Sequence, residues 1–221
     1  MSVINTNIQA LVAQQSLNVN NRSLSKAMEQ LATGKRINSA ADDAAGLSIA
    51  SKMTAQIRGL NQAVRNANDG ISMIQTAEGA MNEATNMLQR MRELAIQSRN
   101  ETYSTSDVTA INAEYTALKN EITRISQKTT WNGTAILNST GSYGLQVGAA
   151  SGTALSFSIN QLAAGSVNTA IGLSADATNT VSALDSAITE VNRSRSSLGA
   201  IINRLQFTTD NRSEEHTSEL Q

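Results

Sequence analysis

The sequence predicts a mainly α-helical fold, an elongated antiparallel helical bundle or coiled-coil rod with a small β-hairpin region. Three observations predict it. The 221 residues include no Pro, so no residue forces a helix to break. Aromatic residues make up 3% of the chain, which leaves little material for a large globular core. Apolar residues recur at alternating spacings of three and four along several long segments, the period of helices that pack against one another.

The first segment, residues 1–41, is predicted to be a helix with a thin apolar stripe. One apolar run is Ile4, Ile8 and Leu11, and a second is Leu24, Met28 and Leu31. Most other residues there are Asn, Gln, Ser or Ala, so the stripe cannot form a core alone and needs a partner helix to cover it. We expect an assembly segment that is disordered in the free monomer.

A long helix is expected next, over about 42–99. Ser39 with Asp42 three residues later resembles a capping box, and the neighbouring Asp43 also suits a helix N-terminus. The stripe then runs through Met53, Ile57, Leu60, Val64, Ala67, Ile71 and Ile74. The next heptad position is Glu78, and the stripe resumes one residue early, at Ala77, Met81, Ala84, Leu88, Met91 and Ala95. This early step predicts locally overwound packing.

Two more helices flank a β region. The first should begin near Ser104–Asp107 and continue to about 129, with the stripe Val108, Ile111, Tyr115, Leu118, Ile122 and Ile125. The turn signal Asn132-Gly133 and alternating apolar residues predict a β-hairpin region over 131–165, followed by a loop to 178. The last stripe is Val181, Leu184, Ile188, Val191, Leu198, Ile202 and Leu205, with Arg195 at its missing position. We expect the Arg195 stem to pack while its charged head reaches solvent.

Composition excludes several functional classes. The net charge is −1 with a pI of about 5.9, so no basic footprint for nucleic acid is present. The chain contains no Cys, and its single His is His216, so no catalytic triad, metal site or cofactor is expected. No run of 18 apolar residues and no cleavable secretory signal is apparent, so we expect neither membrane insertion nor signal cleavage. An enzyme is not expected.

Six short runs stand out along the chain: Asn-Thr-Asn at 5–7, LATGKRIN at 31–38, ADDAAGL at 41–47, NANDGIS at 66–72, QRMREL at 89–94 and SLGA at 197–200. In these runs and in their order, the chain resembles bacterial flagellin. The resemblance implies a structural subunit of the extracellular flagellar filament, exported by the flagellar type III route. It implies an inner-tube domain at 1–41, a rod built from 42–130 and 179–211, and a minimal outer region at 131–178. Implied partners are further copies of the chain, the export apparatus and the filament cap.

The resemblance also implies one recognition surface. Flagellins of some proteobacteria bind animal Toll-like receptor 5 through a motif matched here by Gln89, Arg90, Glu93, Leu94, Gln97 and Glu114. Helical spacing predicts that Arg90, Glu93, Leu94 and Gln97 share one side. Packing between filament subunits is the simpler role for these residues and remains the primary expectation. One departure is Leu118-Lys119, where relatives often carry an Arg.

The resemblance stops at Asn211. Residues 212–221, RSEEHTSELQ, are the in-frame translation of a widely used sequencing adapter, so we expect an artefactual tail and a missing C-terminal helix. That helix would be the partner of residues 1–41, and the chain is therefore expected not to polymerise alone.

Two other functions remain open. The hook–filament junction protein shares this terminal architecture. A helical signalling or adaptor coiled coil would also show sustained heptads, although it would not need the β region.

Overall fold

A computed structural model of the chain describes residues 7–150, 152–162 and 177–219. The helices are α1 (Ile8–Thr33), α2 (Ala44–Gln97), α3 (Thr105–Lys128) and α4 (Ala177–Glu219). The strands are β1 (Thr130–Trp131), β2 (Thr134–Ala135), β3 (Gly141–Gln146) and β4 (Ala154–Ile159). The mainly helical fold with a small β region is therefore confirmed. Two compact units divide the chain, residues 1–56 and 57–221.

The first unit consists of α1, a linker and the first turns of α2. Asn7 caps α1 by accepting a hydrogen bond from the Ala10 amide at 3.2 Å, and Gly34 ends the helix with a left-handed φ of 65°. The start of α2 differs from the prediction. Asp43 accepts the Gly46 amide at 2.8 Å and so caps the helix, whereas Ser39 and Asp42 shape the turn before it.

The second unit is built around a helical core. Residues of α2, α3 and α4 contribute the largest fully buried helical side chains: Ile74, Met81, Leu88, Met91, Leu94, Tyr115, Ile122, Leu184 and Leu198. Two ion pairs show that α4 runs antiparallel to α2, since Arg92 meets Asp185 and Glu78 meets Arg195. The predicted resumption of the α2 stripe at Ala77 is confirmed, because Ala77 is fully buried.

The start of α3 follows its predicted capping signal. The Ser104 hydroxyl accepts the Asp107 amide at 3.3 Å, and the Asp107 carboxylate accepts the Ser104 amide at 3.0 Å. This reciprocal capping box satisfies two backbone donors that a helix start otherwise leaves free. The α3 stripe is buried or half-buried as expected.

The β region forms two separate two-stranded antiparallel sheets, β1–β2 and β3–β4. Asn132 and Gly133 both have positive φ, 48° and 79°, as a two-residue hairpin turn between right-twisted strands requires. The β3–β4 sheet packs on α2: the Asn66 amide donates to the Gln146 carbonyl at 3.0 Å, and a Cβ at Gly70 would collide with Leu145. Most of the predicted loop at 165–178 lies outside the described residues.

Within the part of the chain that the structure describes, no helix is long and apolar enough to cross a membrane.

Candidate interaction surfaces

Helix α1 exposes its apolar side chains. None of its 26 residues is buried. Ile8, Leu11, Leu24 and Met28 are each exposed over more than half of their surface, and Leu31 is 79% exposed. Ile4, the first residue of the predicted stripe, lies outside the described residues. A helix that buries none of its apolar side chains gains little tertiary stabilisation, so this segment carries an unsatisfied packing surface.

The exposed apolar residues of α1 form two faces rather than one stripe. Each helical residue advances about 100°, so Leu11 and Leu24 lie roughly 140° apart around the axis. Face A is defined by Ile8, Leu11, Val12 and Val19, and face B by Leu17, Leu24, Met28 and Leu31; all eight are exposed. The thirteen residues from Leu11 to Leu24 fall one short of two heptads, and this offset turns the second run to the other side. One partner helix cannot cover both faces.

The linker after α1 is held by one carboxylate. Asp42 pairs with the Lys26 ammonium at 2.7 Å and accepts the amides of Ser39 at 3.0 Å and Asn38 at 3.3 Å. The hydrogen bond from Lys26, followed by those from the two backbone amides, holds the pKa of Asp42 well below its usual range. Asp42 therefore ties the end of the linker to the side of α1 and stays ionised at all ordinary pH values.

A second polar cluster lies where α2 and α3 pack. The Arg90 guanidinium lies between two carboxylates, 3.0 Å from Glu93 on its own helix and 2.9 Å from Glu114 on α3. The hydrogen bonds that Arg90 donates to Glu93 and then to Glu114 raise the pKa of Arg90. Arg90 and Glu114 are about half exposed and Glu93 is more exposed, so water screens these pairs and their contribution to stability is small. Their effect is to fix the position of the guanidinium on the surface.

The structure brings most of the predicted recognition residues together on one surface. Gln89, Arg90, Glu93, Gln97 and Glu114 are exposed. The Gln97 amide donates to the Tyr103 hydroxyl at 3.2 Å, which adds a residue that sequence reasoning missed. We call Gln89, Arg90, Glu93, Gln97 and Glu114 the α2–α3 polar surface.

The expectation that Leu94 lies on the recognition surface is wrong. Its side chain is 1% exposed and belongs to the core of the second unit. The reason is the position of α2, which packs against both α3 and α4 and therefore buries a wider arc than a two-helix seam. Met91, Leu94 and Ala95 are all buried. Leu94 supports the polar surface from below and is not available to a partner.

No group of three His, Cys, Asp or Glu side chains within the described ranges is placed to hold a metal ion.

Comparisons with known proteins identify the family. The bacterial flagellin N-terminal helical region matches residues 4–142. A flagellin of Halalkalibacterium halodurans is 45% identical over 215 residues, which cover 95% of this chain and 79% of the relative. Flagellin A of Vibrio anguillarum is 51% identical over 164 residues, and the match covers 73% of this chain but 43% of that protein.

Solved structures agree with this fold. The crystal structure of Bacillus cereus flagellin matches with a TM-score of 0.61 and 29% identity, over 67% of this chain and 88% of that one. A chain described as a flagellar hook-associated protein of Vibrio parahaemolyticus has a TM-score of 0.69 and covers 82% of this chain, at 14% identity. The second likeness concerns the fold alone.

Proposed function

The chain belongs to the bacterial flagellin family, and from this premise we propose that it is a structural subunit that polymerises into the flagellar filament used for swimming. Flagellins are structural proteins, which fits the prediction of a non-enzymatic role. In this proposal, the second unit supplies a preformed rod, and α1 supplies apolar surface that becomes covered on assembly.

The observation that carries the proposal is the contrast between the two units. The second unit buries a continuous helical core, whereas α1 buries no residue and presents apolar side chains on two sides. Surfaces on different sides of one element favour contacts that extend from subunit to subunit, and such contacts generate helical filaments. Covering faces A and B supplies the free energy that holds neighbouring subunits together.

The test is incorporation into a growing filament. Because the chain has no Cys, the exposed Thr189 can be replaced by Cys and labelled with one fluorophore. The labelled chain is mixed with polymerising Halalkalibacterium halodurans flagellin, pelleted and imaged. We expect label along the length of the filaments. A chain that remains in the supernatant would contradict the proposal.

The alternative, a hook–filament junction protein, predicts a different image. Label would then collect at one filament end rather than along its length. The identity of 45% to a flagellin over nearly the whole chain favours the filament subunit, while the hook-associated structure is similar in fold only.

We further propose that the chain reaches the cell exterior through the flagellar type III export apparatus, without cleavage of a signal, and that the filament cap guides its insertion. Family membership supports this route. Mass spectrometry of the secreted protein provides the test, since a processed N-terminus would contradict it.

The α2–α3 polar surface is proposed to have two successive partners, a neighbouring subunit in the filament and Toll-like receptor 5 of an animal host. The fixed Arg90 guanidinium between Glu93 and Glu114 supports this role, because a positioned charge loses little conformational entropy on binding. Replacing Arg90 with Ala should reduce receptor signalling in a reporter-cell assay. Arg124→Ala, which removes an exposed α3 cation paired within its own helix, is the matched control. An unchanged response to Arg90→Ala would remove this residue from the receptor surface.

A further inference from the structure

The apolar stripes of α2 and α4 are interrupted by charged residues that face each other. Glu78 occupies the heptad position after Ile74 on α2, and Arg195 lies between Val191 and Leu198 on α4. In the folded chain the Arg195 Nη2 atom lies 4.0 Å from the Glu78 Oε1 atom. The charged residue that interrupts the α2 stripe therefore faces the charged residue that interrupts the α4 stripe.

The pair lies at the boundary of the core. The Arg195 side chain is 30% exposed and that of Glu78 is 39% exposed. Their neighbours Ala77 and Ser194 are buried. The Arg195 Nε atom is buried and finds no hydrogen-bond partner among the described residues. Partial desolvation with an incomplete set of hydrogen bonds makes such a pair a poor source of net stability. A role of this pair must therefore be sought in something other than the stability of the fold.

A shift of α4 along α2 shows what the pair controls. In this antiparallel arrangement, a slip of one heptad would place Glu78 opposite Ile188 or Ile202, and Arg195 opposite Ile71 or Thr85. Ile188, Ile202 and Ile71 are partly buried apolar residues of the core, and Thr85 is buried. Both charges would lose their partner at once and face apolar or buried positions, which is unfavourable to the extent that the two side chains are desolvated.

The other described ion pair between these helices is less able to oppose such a slip. Arg92 and Asp185 meet at 2.6 Å, but their side chains are 42% and 51% exposed. Water can solvate both if they separate, so the free-energy cost of losing this pair is small. On either side of the early step at Ala77, the apolar positions repeat about every seven residues and therefore discriminate weakly between registers separated by one heptad.

We propose that Glu78 and Arg195 form a register lock that fixes the axial position of α4 against α2. A single polar or charged position inside an apolar seam is a known means of selecting one register. The lock would define the length and surface of the rod, and it does not depend on whether the chain forms filaments.

The test measures the register directly. Cys replacements at the exposed residues Asn68 and Asn192 carry nitroxide labels, and pulsed electron paramagnetic resonance reports the distance between the two helices. The parent chain should give one distance. The variant Glu78→Leu/Arg195→Leu should keep its Tm but gain a second distance population, displaced by up to about 10 Å, since seven residues rise ~1.5 Å each.

Two further variants keep the result decisive. The exchanged pair Glu78→Arg/Arg195→Glu should retain the single parental distance. The control Arg92→Leu/Asp185→Leu, which removes the exposed pair, should retain it as well. A single unchanged distance in the Glu78→Leu/Arg195→Leu variant would overturn the proposal. A second distance population in the Glu78→Arg/Arg195→Glu variant would also overturn the proposal. This variant still decides the question if the Glu78→Leu/Arg195→Leu variant fails to fold.

Discussion

Removing two side chains from face B of α1 should weaken assembly without weakening the fold. Leu24 and Met28 are each 62% exposed, so that fraction of each side chain is still available for burial by a neighbour. Replacing either residue with Ala removes three heavy atoms beyond Cβ. At about 0.8 kcal/mol per buried CH₂, scaled by the 62% exposure, each replacement costs roughly 1.5 kcal/mol of assembly free energy. The two together cost about 3 kcal/mol, or roughly a hundredfold in affinity.

The assay is the incorporation of labelled chain into filaments growing from Halalkalibacterium halodurans flagellin. The concentration of Leu24→Ala/Met28→Ala chain that gives half-maximal incorporation should rise by about a hundredfold. Its thermal unfolding should match the parent, because α1 buries no residue and exposed substitutions change stability by about 0.5 kcal/mol or less.

The matched control is Gln14→Ala, an exposed position of α1 that lies on neither face. It should change incorporation less than twofold, on the order of a surface substitution. A rise of less than about threefold for the Leu24→Ala/Met28→Ala chain would refute the idea that face B is buried between subunits, since threefold corresponds to only about 0.6 kcal/mol.

Three further predictions concern the folded chain itself. Gly70→Ala should destabilise the second unit by about 1–3 kcal/mol in urea unfolding, because the new Cβ collides with Leu145. The control Gly79→Ala, whose new Cβ meets no neighbour, should be neutral or stabilising by up to ~1 kcal/mol. Ser104→Ala should cost about 1 kcal/mol by removing the α3 cap, and an undiminished unfolding midpoint would contradict that role. Folding lowers the pKa of Asp42. The stabilisation of the fold by ionised Asp42 should therefore be complete above the unfolded pKa of about 3.9 and decline only as pH falls below it. Asp42→Asn should abolish this part of the acid dependence, measured as helix content against pH.

The sequence was sufficient for the elements whose signals are local. The Ser104–Asp107 box caps α3 as predicted, and Asn132-Gly133 forms the two-residue turn. The same holds for the resumption of the α2 stripe at Ala77. Each of these depends on residues within one or two turns, so the tertiary environment has little opportunity to override them.

The sequence was insufficient where the outcome depends on which elements meet. Leu94 was placed on the recognition surface by its match to the receptor-binding motif, but α2 has two partners in the second unit and buries Leu94. Glu78 and Arg195 were each recognised as interruptions, yet nothing in either segment indicates that they face each other. The alignment of two residues that lie more than a hundred positions apart in the chain is a tertiary property.

The separation of buried from exposed apolar residues has a consequence for how this chain tolerates change. The core of the second unit determines whether the chain folds, and faces A and B of α1 carry apolar area that contributes nothing to that core. Substitutions in the two sets should therefore be additive in their free energies, since α1 buries no residue. A variant combining Gly70→Ala with Leu24→Ala/Met28→Ala should show the unfolding midpoint of the first change and the incorporation defect of the second. Coupling between them would mean that α1 packs on the rod before assembly, and the apolar faces would then be part of the fold rather than of the filament.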